Sequence, residues 1–269
     1  MPTPAPGSVA PARHSLELEG RHVSCLEREG ADPPVVLLHG WGADAASFTG
    51  LLRLARTPRR LLALDLPGFG ESPLGEADWA TSSYAALVSD LLRQRGWEGV
   101  SVLGHSYGGG VALRLAAESG ALVDRILLCA PSGVRSGHPQ PMSLRVRAFR
   151  TLRRTAELAL PGPWSQPAVE WLRQRMGSAD YRAAGRLRPI LVRAVQEDLS
   201  PVAEQVAIPT LIIWGVLDLE LPLEPHGRRL HQLIRTSELV EFPASGHFPF
   251  VDEPRRFAAV FDSFMDARL

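Results

Sequence analysis

Short apolar runs alternate with segments of helical period along most of the chain, and this alternation narrows the possible folds more than any other feature. Val35–Leu38, Arg60–Asp65, Val100–Leu103, Arg125–Cys129, Thr210–Trp214 and Glu238–Phe242 read as strands. Ala46–Ala55, Ser83–Arg95, Tyr107–Ser119, Pro225–Ile234 and Pro254–Met265 read as helices. In Ser83–Arg95 the residues Tyr84, Leu87, Val88, Leu91 and Leu92 recur at helical spacing, and Gly96 marks the stop. Fully apolar strands suit a sheet buried on both faces, so the pattern predicts a mostly parallel sheet covered by helices on each side. Leu16–Glu19 and His22–Leu26 add an antiparallel hairpin around Gly20–Arg21.

The rhythm breaks once. About eighty residues without a strand pattern separate Ala130 from Thr210, and Pro139–Leu160, Pro167–Met176, Ala179–Arg186 and Pro189–Glu197 read there as helices split by Pro and Gly. Helices inserted at one crossover of a parallel sheet are expected to form a cap over the face where ligands bind. The expected organisation is therefore a disordered tail over 1–13, a core over 14–132 and 208–269, and a helical cap over 133–207. The cap segment carries twelve Arg against six acidic residues, a basic insertion in a body of opposite sign. Its run Arg145, Arg147, Arg150, Arg153 and Arg154 spreads over much of a helix surface, as a solvated helix does; an attraction for an anionic substrate or carrier is the sharper reading.

Composition excludes several classes. Of the 269 residues, 45% are hydrophobic and 22% charged, as in a globular protein and unlike a disordered chain. Twenty-nine basic residues balance twenty-nine acidic ones, which argues against nucleic acid as the main partner. No apolar stretch is long enough for a membrane span. Every basic residue is arginine, so a lysine Schiff base is excluded. Cys25 and Cys129 fall inside expected strands and read as buried structural thiols, with neither a disulfide framework nor metal spacing. The first residues have no basic start and no apolar core, so a secretory signal is not expected and a cytoplasmic location is the default.

Gly104-His105-Ser106-Tyr107-Gly108 fits G-x-S-x-G, with an apolar strand before it and a helix after it. A nucleophilic serine needs that context, because a sharp strand-to-helix turn lifts the hydroxyl above the sheet edge and the helix N-terminus adds partial positive charge beside a developing oxyanion. The alternative is a merely structural tight turn. Such a hydroxyl needs a base. Of eight histidines, His14 and His22 belong to the hairpin, His39 braces its loop, and His105 lies inside the turn with its side chain pointing away from that of Ser106. His226 and His231 sit on a helix, and His138 opens the cap as an outside candidate. His247, on the loop after the last strand, is the base by elimination and position. Asp218, just beyond Thr210–Trp214, is the expected carboxylate to fix its tautomer, and Glu220 is the rival.

These motifs resemble the α/β-hydrolase fold superfamily, in the capped branch that includes esterases, lipase-like enzymes and carbon–carbon bond hydrolases. The resemblance spans about residues 14–268 and rests on five ordered motifs: His39-Gly40-Trp41-Gly42, Asp65 to Ser72, the Ser106 turn, Trp214-Gly215 with Asp218, and Gly246-His247 followed by Phe248 and Pro249. The order Ser106, Asp218, His247 is the superfamily's nucleophile–acid–histidine order. The resemblance implies an eight-stranded, mostly parallel sheet and an oxyanion hole from the backbone N–H groups of Trp41 and Tyr107. It implies a scaffolding role for Asp65–Ser72, with Phe69 near the substrate. Phe69, Trp164, Trp171 and Phe248 are candidate pocket residues, Trp164 and Trp171 being equally suited to core packing. Serine rather than aspartate at position 106 points to acyl transfer. The expectation is a cofactor-free, metal-free serine hydrolase of carboxylic esters, with a small-molecule ester or related carbonyl substrate, as a monomer or homodimer. A carbon–carbon hydrolase of vinylogous diketones is the alternative, and a non-catalytic ligand-binding member of the fold a more distant one.

Overall fold

A computed structural model describes residues 10–18, 20–76, 79–135, 151–152, 155 and 179–267. The chain divides into two compact units, Met1–Gly137 with Arg193–Leu269, and His138–Val192. The first unit holds an eight-stranded sheet in the order β1-β2-β4-β3-β5-β6-β7-β8. Its strands are β1 (Ala12–Leu18), β2 (Arg21–Arg28), β3 (Ala31–Leu38), β4 (Arg59–Leu64), β5 (Val100–His105), β6 (Val123–Cys129), β7 (Thr210–Gly215) and β8 (Ser237–Phe242). The pairs β1–β2 and β2–β4 are antiparallel, and every other pair is parallel.

Leu103 of β5 lies level with Leu37 of β3 and Leu127 of β6. Every residue of β5 and β7 is buried, Ser101, His105 and Thr210 included, as befits interior strands covered on both faces. At the β8 edge the pattern loosens, with Glu238 exposed, as befits a strand with one unpaired side. One face of the sheet packs against α1 (Thr49–Leu54) and the helix Pro254–Asp266, whose Phe257, Phe261 and Met265 recur every four residues and are all buried. On α2 (Thr81–Gln94) the residues Tyr84, Leu87, Val88, Leu91 and Leu92 are buried, on the face that periodicity marks.

From β3 the chain passes to β4 on one side and returns to β5 on the other. In a parallel sheet this reversal opens a crevice beyond the strands' carboxyl ends, where the loops diverge. The segment after β3, from His39, and the turn after β5, at Ser106, flank that crevice.

One element differs from expectation. The strand β1 begins at Ala12, inside the tail expected over 1–13, because Arg13 is anchored to Asp65. The helix expected over Pro225–Ile234 is present: Glu224 before it is extended, the backbone is helical from Pro225, and the regular α-helix runs from Arg228 to Leu233. Apart from residues 151, 152 and 155, which are helical, the expected helix Pro139–Leu160 lies outside the described residues, as does all of Pro167–Met176. Cys25 and Cys129 are both free and fully buried. Burial and the nearby Glu27 carboxylate push the Cys25 thiol up to about 12, and burial beside Asp218 raises Cys129 well above the ordinary thiol value.

Asp65, just past β4, is a fully buried carboxylate that organises this edge. Its oxygens accept the N–H groups of Ala45 at 2.7 Å and Glu71 at 3.0 Å, together with the Arg13 guanidinium. Burial by itself would push the carboxyl up, but these donors outweigh it and hold Asp65 below the usual carboxylate range. A carboxyl held low in the folded state stabilises it above the unfolded-state pKa, and that contribution is lost as pH falls through the folded-state value. Replacing Asp65 by Asn is expected to cost about 2 kcal/mol near neutrality, because a buried amide cannot accept, as the two carboxylate oxygens do, from the Ala45 and Glu71 N–H groups and the half-buried Arg13 guanidinium. In urea unfolding the gap between the two proteins should narrow as pH is taken below about 4.

Candidate active site

Ser106 stands between the last residue of β5 and the first of α3 (Tyr107–Glu118). Its backbone has φ 49° and ψ −114°, a left-handed conformation that is strained for any residue with a side chain. The surroundings enforce it. The Ser106 N–H donates to the Cys129 carbonyl at 3.0 Å, and the Ser106 carbonyl accepts from Ser132 at 2.9 Å and Gly109 at 3.0 Å. The flanking glycines are required by close approach. A Cβ on Gly104 would lie 2.4 Å from the Gly108 carbonyl oxygen, and one on Gly108 would lie 2.2 Å from that of Leu38. The turn is therefore clamped between β3 and β6, with the Ser106 residue half-buried at its apex.

Asp218 lies three residues past β7 and His247 five past β8, and the parallel pairing of these strands brings the two loops together. The Asp218 Oδ2 accepts from His247 Nδ1 at 2.7 Å, with both side chains buried. Its other oxygen accepts the N–H groups of Glu220 and Leu221, each at 2.9 Å. A carboxylate held this way cannot swing off the imidazole without breaking two backbone bonds, and it assigns the ring proton to Nδ1. The rival carboxylate, Glu220, is exposed and sits 3.9 Å from the opposite nitrogen, Nε2. Among the described residues no hydrogen bond joins the Ser106 hydroxyl to His247; such contacts commonly tighten only when substrate is bound.

Trp41 occupies a tight turn closed by the Ala43 N–H to the Gly40 carbonyl at 3.3 Å. Tyr107 is the first residue of α3, so its N–H has no partner within the helix. The rings make an edge-to-face series, with Trp41 5.1 Å from Phe69 and 5.6 Å from Tyr107, centre to centre. Phe69 is buried behind Trp41, whereas Phe248 is partly exposed and sits edge-on to His247 at 5.2 Å. Trp164, Trp171 and His138 lie outside the described residues. His39 accepts the Leu66 N–H on Nε2 at 3.0 Å and donates from Nδ1 to the Gly40 carbonyl at 2.8 Å, which makes it a neutral brace between two loops. Burial lowers its pKa accordingly. His14 and His22 pair with Glu27 and Glu17 on the hairpin, and His226 and His231 make hydrogen bonds to Val134 and Ser237. His105, whose place inside the turn implies no task, bonds the His247 carbonyl through its ring. No periodic signal marks such a contact.

Among the described residues no group of three or more His, Cys, Asp or Glu side chains is placed to hold a metal ion. No helix among them is long and apolar enough to cross a membrane.

Comparison with known proteins shows what the chain as a whole resembles. An uncharacterized protein of Mycobacterium tuberculosis is 31% identical over 264 residues, covering 88% of this chain and 76% of its own. The pimeloyl-[acyl-carrier protein] methyl ester esterase of Nitrosomonas europaea is 30% identical over 254 residues, covering 88% of this chain and 98% of its own. Among solved structures, an esterase from Exiguobacterium antarcticum superposes with a TM-score of 0.72 at 22% identity, over 94% of this chain and 99% of its own. Residues 35–260 match the alpha/beta hydrolase family, and the chain belongs to that family.

Proposed function

We propose that this alpha/beta hydrolase is a serine hydrolase of carboxylic esters, with Ser106 as nucleophile, His247 as general base and Asp218 as its orienting carboxylate. The observation that carries the reading is the buried Asp218–His247 bond at the sheet edge that also bears the strained Ser106 turn. The esterase similarity of the Nitrosomonas relative supports the ester as the bond cleaved.

In this reading the Ser106 hydroxyl gives its proton to His247 Nε2 as its oxygen attacks the ester carbonyl carbon. The negative charge that develops on the carbonyl oxygen is received by the Trp41 and Tyr107 N–H groups, at the positive end of α3. Collapse expels the alcohol, which takes the proton from the imidazolium and leaves an acyl-enzyme. Water then loses a proton to Nε2, attacks the acyl carbon and releases the acid, and Ser106 recovers its proton. Asp218 keeps its charge throughout, holding the other ring proton on Nδ1. Phe69 and Phe248 are read as substrate-facing. Segment 133–207 is read as the cap from its helical pattern and its position at one crossover.

The first test is hydrolysis of p-nitrophenyl esters from acetate to laurate, with Ser106→Ala beside the wild type. The expected loss of kcat is on the order of 10⁶-fold, and turnover surviving in the variant would overturn the nucleophile. Inertness of the wild type toward every ester, with cleavage of dienone acids, would replace ester by carbon–carbon hydrolysis.

A second pair of variants separates the two carboxylates. Asp218→Asn should lower kcat on the order of 10⁴-fold by favouring the wrong tautomer. Glu220→Gln, at an exposed carboxylate, should change kcat/KM by less than about fivefold. The reverse ranking would transfer the orienting role to Glu220.

A further inference from the structure

His105 is the residue before the candidate nucleophile, and its side chain is turned into the protein. It is 2% exposed, and its Nε2 lies 2.9 Å from the backbone carbonyl oxygen of His247. A carbonyl only accepts, so the ring carries its proton on Nε2. The imidazole is held in place from several sides. Its centre is 4.9 Å from the His247 ring, 4.8 Å from Phe248 and 5.0 Å from Phe250. It also lies flush against Gly40, where a Cβ would come within 2.8 Å of Nδ1. Burial, reinforced by the neighbouring His247, pushes its pKa down to about 3, so the ring stays neutral wherever the enzyme works.

This contact addresses a problem of distance in the fold. The strands β5 and β8, which launch Ser106 and the His247 loop, are separated by β6 and β7, so backbone pairing relates them only through three successive ladders. The Asp218 bond grips His247 at Nδ1, but a single bond leaves the imidazole free to pivot about it. An anchor on the backbone of His247 itself fixes the point from which that side chain starts, and the anchor comes from the residue bonded to Ser106.

We propose that His105 is a positioning residue: its Nε2–H bond to the His247 carbonyl sets the distance and tilt of the base relative to the Ser106 hydroxyl. The proposal rests on the reading of Ser106 and His247 as nucleophile and base. Contact with Gly40 extends the same tie to the Trp41 turn, so one neutral ring locates three loops.

The test compares His105→Phe, which keeps a ring and removes the donor, with His105→Gln, whose amide N–H reaches a similar distance. Both are assayed on the ester the wild type hydrolyses fastest, with active sites titrated by a fluorophosphonate and folding followed by thermal unfolding. The expected result is a fall in kcat per titrated site toward the order of 10²-fold in the Phe variant, the scale of about 1 Å of misplacement. KM should stay within about twofold, and the Gln variant should recover most of the loss. Unchanged kcat per titrated site in the Phe variant, or a Gln variant no better than Phe, would overturn the proposal and leave His105 a packing residue. Nitrogen NMR of the wild-type imidazoles gives a readout that does not depend on either variant folding. A His105 that is protonated on Nε2 and does not titrate between about pH 5 and pH 8 is expected, and an Nδ1–H tautomer would overturn the bond. Failure of the underlying reading has a separate signature, namely turnover that survives in Ser106→Ala.

Discussion

Parallel pairing is the constraint from which the rest follows. Strands β3 to β8 all run the same way, so their carboxyl ends meet at one edge, and residues widely spaced in sequence become neighbours without any loop having to travel far. Ser106, Asp218 and His247 each stand within a few residues of a strand end, on rigid rather than wandering backbone. The reversal of direction at β3 opens the crevice beside the Ser106 turn. The two antiparallel strands contribute differently: β1 brings Arg13 to Asp65 and so steadies the segment that carries Phe69.

A left-handed serine has to be held in place, and buried polar ties do much of the holding. Asp65 and His39 each join backbone groups of two loops, and Asp218 binds two backbone groups of its own loop, so the connections between strands behave as extensions of the sheet. Polar groups satisfied in this way avoid the cost of burial and restrict the chain to one arrangement. The glycines at 104 and 108 complete the clamp because backbone from adjacent segments passes where a methyl group would be. Strain at Ser106 is thereby offset by contacts spread over β3, β5 and β6.

Much of this was legible in the residues because the signals are local. Strand-length apolar runs and helical spacing mark the sheet and its covering helices, and a position just past a strand end is readable once the strand is recognised. Distant side-chain contacts leave no such trace. Arg13 and Asp65 are 52 residues apart, and His105 and the His247 carbonyl are 142 apart, so neither tie follows from spacing. The helix beginning at Pro225 shows a local signal at work, since proline suits a first helical position and keeps the residue before it, Glu224, extended. Between Asp218 and Glu220 the sequence offered two carboxylates two residues apart, and only the direction of the loop separates the one on Nδ1 from the one beside Nε2.

The two buried thiols have a consequence for how the fold can be watched. Cys25 lies in the antiparallel part of the sheet and Cys129 in its parallel centre, both wholly shielded and both with the thiolate disfavoured. Thiolate is the form that reacts with disulfide reagents and alkylators, so the native protein should be nearly inert to them. Reactivity then appears only when a strand opens, and the two positions report on different regions of the sheet. The chain carries its own pair of unfolding reporters, able to show whether the hairpin side opens before the centre without any label being introduced.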